Sequence, residues 1–130
     1  LQLLMSDAIE PHLGYQQPCI VYHYPASQAA LAKINRTSKP AIAERFELYI
    51  NGTELANGFH ELNDPEEQRQ RFQSDQQHRQ QQKKKPIAID EHFLACLPSL
   101  PNCAGVALGL DRLLMLYLEL DHIKKAISFT

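Results

Sequence analysis

The stretch Ala43–Leu62, AERFELYINGTELANGFHEL, decides the fold. Asn51-Gly52 stands between two runs of β-forming residues, and a type I′ turn requires positive φ at both of its central positions. With Asn51 and Gly52 as the loop, Ile50 pairs with Thr53, Tyr49 with Glu54 and Glu47 with Ala56. Opposed residues share a face, and so do residues two apart on one strand. The spacing therefore predicts Glu47, Tyr49 and Glu54 on one face. Phe46, Leu48, Ile50 and Leu55 fall on the other, as a core. Glu47 and Glu54 become diagonal neighbours roughly 7 Å apart at the backbone, close enough to share a divalent cation. Glu44 and Glu61 bring the acids of this stretch to four.

On a regular second strand Asn57, Phe59 and Glu61 are out of phase with Glu54. A glycine inside a strand often marks a bulge, and one extra residue switches the facing of everything beyond it. Gly58 therefore predicts a bulge near Ala56–Gly58 that turns Asn57, Phe59 and Glu61 toward the face of Glu47 and Glu54.

Outward from the hairpin, Leu1–Leu13 has apolar residues at helical spacing up to Pro11 and Gly14, and predicts a short amphipathic helix. CIVYHY (Cys19–Tyr24) predicts a strand between two prolines. Ser27–Ile34 can begin a helical turn, and NRTSKP (Asn35–Pro40) is turn chemistry. After the hairpin, Asp64 is placed to cap a helix that starts at Pro65, with Glu66 and Glu67 at its positive end. That helix runs to about Lys84 with Phe72 as its lone large apolar residue, the signature of a solvated surface arm. The triplet Lys83–Lys85 belongs to that solvated surface. Asp90–Leu97 predicts a short helix with Phe93, Leu94 and Leu97 inward. Val106–Leu108 then predicts a strand broken by Gly109, Asp111 opens a leucine-rich helix, and Ile123–Phe129 reads as a final helix-to-strand segment.

The chain has 130 residues, enough for one domain or part of one. A net charge of −2 implies no general affinity for polyanions. Three cysteines, Cys19, Cys96 and Cys103, form no paired pattern and favour a reduced, intracellular setting. No apolar run approaches membrane-spanning length, so no membrane association is expected. The chain starts at Leu1 within an apolar-periodic segment, as expected of a fragment. The six histidines lack zinc-ligand spacing, and no serine or cysteine sits in a nucleophile motif.

Two constellations remain. Arg112, in the first turn of a helix after a strand and Gly109, would sit beside unpaired backbone N–H groups, an arrangement that suits phosphate. Gly109 would let a bulky ligand approach the backbone. The same residues serve equally well as the buried start of a leucine-packed helix. Glu47 and Glu54 suit a metal, yet acids on an exposed hairpin face are equally at home in water. Taken together, acids, an asparagine, an arginine and a glycine-lined groove suggest an anionic nucleotide, a bridging metal and a cationic second substrate.

RFELYINGTELANGFHELND together with AGVALGLDRLLML resembles the C-terminal part of the catalytic core of class II aminoacyl-tRNA synthetases, lysyl subgroup. The second string is similar to motif 3 of that class, at 105–118. VYHYPASQAALAKI and ELANGFHEL resemble, within the subgroup, the lysyl-tRNA synthetase paralogues that ligate (R)-β-lysine to a lysine of translation elongation factor P. The likeness runs from about Cys19 to Phe129. It implies an α+β fold, an antiparallel sheet with flanking helices. It also implies an ATP-dependent, cytoplasmic ligase that forms an adenylate of lysine or β-lysine and passes it to elongation factor P, or to tRNA in a true synthetase. A non-catalytic synthetase-like binding module is the remaining alternative.

Residue by residue, the resemblance puts Glu47 and Glu54 on magnesium and ATP, with Leu55 beside the adenylate. Gly109 lines the nucleotide, and Arg112 meets the terminal phosphates as the catalytic cation. Asn57, Phe59 and Glu61 line the amino-acid pocket, with Glu61 receiving a substrate ammonium. Ala107 stands where lysyl-tRNA synthetases usually have glycine, and an added methyl in a tight pocket reshapes which amino-acid backbone fits. Motif 1, which builds a homodimer interface in this class, and motif 2, which supplies an arginine for the α-phosphate, have no counterpart in residues 1–130. The expectation is a partial catalytic domain, inactive by itself.

Overall fold

The computed structural model describes residues 2–127. Five strands form one antiparallel sheet: β1 (Cys19–Pro25), β2 (Ile34–Asn35), β3 (Ile42–Ile50), β4 (Thr53–His60) and β5 (Ala104–Leu108). The order is β1-β3-β4-β5, with β2 also paired to β3. Among the described residues the α-helical segments are α1 (Gln2–Leu4), α2 (Pro65–Gln81), α3 (Glu91–Cys96) and α4 (Leu110–Tyr117). The fold is α+β, as the sequence implies, and among the described residues no helix is long and apolar enough to cross a membrane.

The hairpin forms through the predicted turn. Asn51 has φ 49° and Gly52 φ 71°, the left-handed pair a type I′ turn demands. The N-terminal segment closes over this turn: Gly14 and Leu13 carbonyls accept from the N–H groups of Asn51 (3.0 Å) and Gly52 (2.7 Å). Gly14 itself has φ 78°, and a Cβ there would run into the Tyr49 carbonyl.

The bulge exists, one residue earlier than predicted. Tyr49 pairs with Glu54 but Leu48 pairs with Ala56, so Leu55 is the extra residue. Glu47 accordingly lies opposite Asn57, not Ala56, and Arg45 lies opposite Phe59. The consequence is the predicted one: Glu47, Tyr49, Glu54, Asn57 and Phe59 share a face.

The predicted core face is corrected in part: Leu55 is buried as expected, but its companions are not. Phe46, Leu48 and Ile50 are half-buried, whereas Ala43, Glu47 and Tyr49 on the opposite face are buried. The polar face is covered by the 3-10 turn Ala26–Gln28 and the chain that follows it. Tyr24, Ala29 and Ala43 pack together there against Met5, Val21 and Ile34. On the other face Tyr22 and Val106 are 63% and 65% exposed. Cross-strand alternation sets which residues share a face. What lies over that face is a non-local matter.

The helices follow their local signals. Asp64 caps α2, its Oδ1 accepting from Glu66 N–H (2.9 Å) and Glu67 N–H (3.1 Å). Gln68 is the buried residue of this polar helix, and Lys83–Lys85 are exposed. Asp90 caps α3 through Phe93 N–H (2.8 Å), and Leu94 and Leu97 are buried. The expected N-terminal amphipathic helix is instead a single α turn followed by π and 3-10 turns, with Leu3, Leu4 and Ile9 exposed. Pro11 and Gly14 break it before a buried stripe can form. Leu110, Leu113 and Leu114 of α4 also remain exposed and Leu116 is half-buried, so this helix buries no residue among those described. Near the end of the chain a 3-10 turn spans Ile123–Lys125; the helix-to-strand segment expected over Ile123–Phe129 ends outside the described residues.

Candidate active site

Two distant stretches of sequence meet where the bulge touches the start of α4. Gly109 N–H donates to the Leu55 carbonyl (2.9 Å), tying the extra residue of β4 to the end of β5. Three residues on, Arg112 Nη1 donates to the Glu54 carbonyl (2.6 Å) and lies 3.5 Å from Glu54 Oε2. A guanidinium has five N–H donors, and the Arg112 side chain is 45% exposed, so donors remain for an anion beside the first turn of α4. A Cβ added to Gly109 would meet Arg112 Cδ at 3.4 Å and the Leu55 carbonyl at 3.5 Å, ordinary contacts. The chain's own packing does not demand glycine at this position.

From this corner a row of side chains runs along β4 and β5. Asn57 faces Glu47 on one side and Ala107 on the other, and its Nδ2 donates to Glu54 Oε1 (3.1 Å). Phe59 stands between Arg45 and Gly105. The Glu61 carboxylate occupies the space a Gly105 side chain would fill, with its Cδ at 3.4 Å from such a Cβ. Glu54, Asn57, Phe59, Glu61 and Ala107 are thus brought together, as are Leu55, Gly109 and Arg112.

Glu47 belongs to the same face, but its carboxylate points into a different set of partners. Its Oε2 accepts from the hydroxyls of Tyr24 and Tyr49, each at 2.5 Å, and its Oε1 accepts from the Arg45 guanidinium. Those bonds occupy three of the roughly four lone-pair sites of a carboxylate. Burial, followed by the hydrogen bond to Glu47, pushes both tyrosine hydroxyls well above their usual range. Arg45 also donates to the Gln28 carbonyl (3.0 Å), and its guanidinium lies 4.5 Å from the Tyr24 ring centroid and 5.4 Å from that of Phe59. Sequence reasoning missed Tyr24 and Arg45. The signal was present for Arg45, which alternates with Glu47 and Tyr49 on one strand; Tyr24 becomes visible only once β1 is paired to β3.

These contacts bear on the expected metal. No group of three or more His, Cys, Asp or Glu side chains that could hold a metal occurs among the described residues. Glu54 retains room for a metal that also rests on nucleotide phosphates, the usual manner for magnesium. Glu47 as it stands does not fit that role. A cavity of about 730 Å³ between the sheet face and α2 borders the row through Arg45 and Glu47, and is lined further by Tyr24, Gln28, Glu67 and Arg71. Glu54, Asn57, Phe59 and Glu61 lie outside it, on a more open surface.

The profile of class II tRNA synthetases (D, K and N) matches residues 8–130. The chain belongs to this family. Among curated relatives, the elongation factor P–(R)-β-lysine ligase of Vibrio cholerae is 55% identical over 130 residues, covering 99% of this chain and 40% of that protein. The ligase of the same name from Haemophilus ducreyi is 52% identical, covering 99% and 39%. That of Edwardsiella ictaluri is 51% identical, covering 100% and 40%. The class II chain spans about two-fifths of the length of these relatives.

Proposed function

We propose that the full-length protein activates (R)-β-lysine with ATP as an adenylate and transfers it to a lysine of elongation factor P in the cytoplasm. The observation that carries this reading is the junction of Glu54, Leu55, Gly109 and Arg112 with the Asn57–Phe59–Glu61 row, in a chain half identical to ligases of that name. In the reaction, the substrate carboxylate attacks the α-phosphate in line and pyrophosphate leaves. Arg112 offsets charge on the terminal phosphates, and Leu55 and Gly109 border the nucleotide. Glu61 takes the substrate ammonium, Phe59 walls the pocket, and Asn57 and Ala107 face the amino-acid backbone. Magnesium bound with ATP supplies charge neutralisation, and Glu54 is the residue that would hold it.

The test is ATP consumption by the full-length protein with lysine or (R)-β-lysine, and with elongation factor P or tRNA as acceptor. The expected result is β-lysine-dependent turnover and mass gain on elongation factor P. Charging of tRNA instead would identify a lysyl-tRNA synthetase, and no adenylate with either amino acid would leave a non-catalytic binding module.

A further inference from the structure

Glu47 and Arg45 are the feature that the proposed reaction leaves without a task. Both side chains are nearly buried, at 12% and 14% exposed, on the strand next to the row of pocket residues. A buried carboxylate and guanidinium are tolerated when paired and hydrogen-bonded, and here every strong link runs inward: two tyrosine hydroxyls, the Gln28 carbonyl and each other. Toward the proposed pocket, the guanidinium carbon lies over the Phe59 ring, 5.4 Å from its centroid. Phe59 shares its face with Glu61, two residues on.

We propose that Arg45 is a positioning residue for the amino-acid pocket, acting through Phe59, and that Glu47 serves to neutralise Arg45 rather than to hold metal. The inference rests on the proposed role of Phe59 and Glu61 in binding a cationic amino acid. The guanidinium braces one side of the Phe59 ring, as planar cations do on aromatic faces. A bare positive charge at that spot would repel the substrate ammonium, and the Glu47 carboxylate cancels it. Tyr24 and Tyr49 fix the carboxylate, and Gln28 fixes the guanidinium, so the brace is held from both sides.

This assignment predicts a pattern that a metal ligand cannot produce. In full-length protein, Glu47→Gln keeps the shape, turns one accepting oxygen into an NH2 donor and strands the Arg45 charge. The amino-acid KM rises about tenfold or more, while the ATP KM and the magnesium concentration for half-maximal activity stay as in wild type. Adding Arg45→Met to Glu47→Gln removes the stranded charge and brings the amino-acid KM back down from the single-variant value. Arg45→Lys keeps the charge pair but loses the planar stack, and raises the amino-acid KM alone. A rise in the ATP KM or in the magnesium requirement with Glu47→Gln, or a double variant no better than the single one, overturns the inference. If Glu47→Gln does not fold, the same comparison is made between Arg45→Lys and wild type, where a change confined to ATP or magnesium overturns it equally. Wild-type protein that consumes no ATP with either amino acid refutes the proposed function, and this inference with it.

Discussion

Replacing Gly105 by alanine places a methyl group where the Glu61 carboxylate now sits. Glu61 Cδ would lie 3.4 Å from the new Cβ and its Oε1 well inside contact distance, so the oxygen must retreat by about 1 Å to reach an ordinary separation. What must move is the far end of a flexible side chain, and strand backbone favours alanine over glycine by roughly 0.5–1 kcal/mol. Folding stability is therefore expected to change by less than about 1 kcal/mol. Binding should respond more. A hydrogen bond to a charged group is worth about 1.5–3 kcal/mol, which is roughly 10- to 150-fold in the KM for the amino acid at 1.4 kcal/mol per tenfold. The assay is steady-state ATP consumption by full-length protein against amino-acid concentration, with thermal unfolding in parallel. An unchanged amino-acid KM in a normally folded Gly105→Ala protein, or a rise confined to the ATP KM, would refute the placement of Glu61 on the substrate ammonium.

Ala107→Gly opens the position opposite Asn57; one methyl in a pocket is worth about 1–3 kcal/mol of discrimination, so the ratio of kcat/KM for β-lysine over α-lysine should fall by about tenfold or more, measured with both substrates. Burial and the hydrogen bond to Glu47 hold the Tyr24 and Tyr49 hydroxyls above the ordinary tyrosine value of about 10. A group so raised contributes stability that is complete below the unfolded value and is lost as pH climbs above it, so stability should decline above about pH 10. In an ultraviolet titration, two of the five tyrosines should ionise only as the protein unfolds; five tyrosines titrating together in folded protein would contradict this. Gly14→Ala, at φ 78° and against the Tyr49 carbonyl, should cost at least about 1–3 kcal/mol by chemical denaturation, with no recovery in Gly14→Ser.

The local grammar of the chain was legible residue by residue. Asn51-Gly52 specifies the turn, Asp64 and Asp90 specify helix starts, and Gly58 signalled that β4 cannot be regular. The bulge was misplaced by a short distance because any residue of Leu55–Gly58 restores the same facing, and alternation reports the parity of the shift rather than its position. The N-terminal helix failed for a related reason: apolar spacing over Leu1–Ile9 promises a stripe, but a helix this short is held by packing and not by propensity.

Which residues come together as a site was partly written in the sequence. The hairpin alone placed Glu47, Tyr49 and Glu54 on one face, the strand–glycine–helix pattern drew out Gly109 and Arg112, and family resemblance gave Glu61 its role. Tertiary structure decided the rest. It joined Leu55 to Gly109 and Glu54 to Arg112 across more than fifty residues of chain. It buried Ala43, Glu47 and Tyr49 on the polar face of the sheet, which the Ala26–Ile34 segment crosses, and left Ile20, Tyr22, Val106 and Leu108 of the other face exposed. It also separated two glutamates that look equivalent in sequence: Glu54 faces Arg112 and Asn57 at a partly open surface, and Glu47 is enclosed by Tyr24, Tyr49 and Arg45. Strand alternation and turn chemistry act over a few residues, so the sequence by itself determined the elements and the facing of their side chains. The partners of a carboxylate come from strands distant in the chain, and only the folded sheet could choose them.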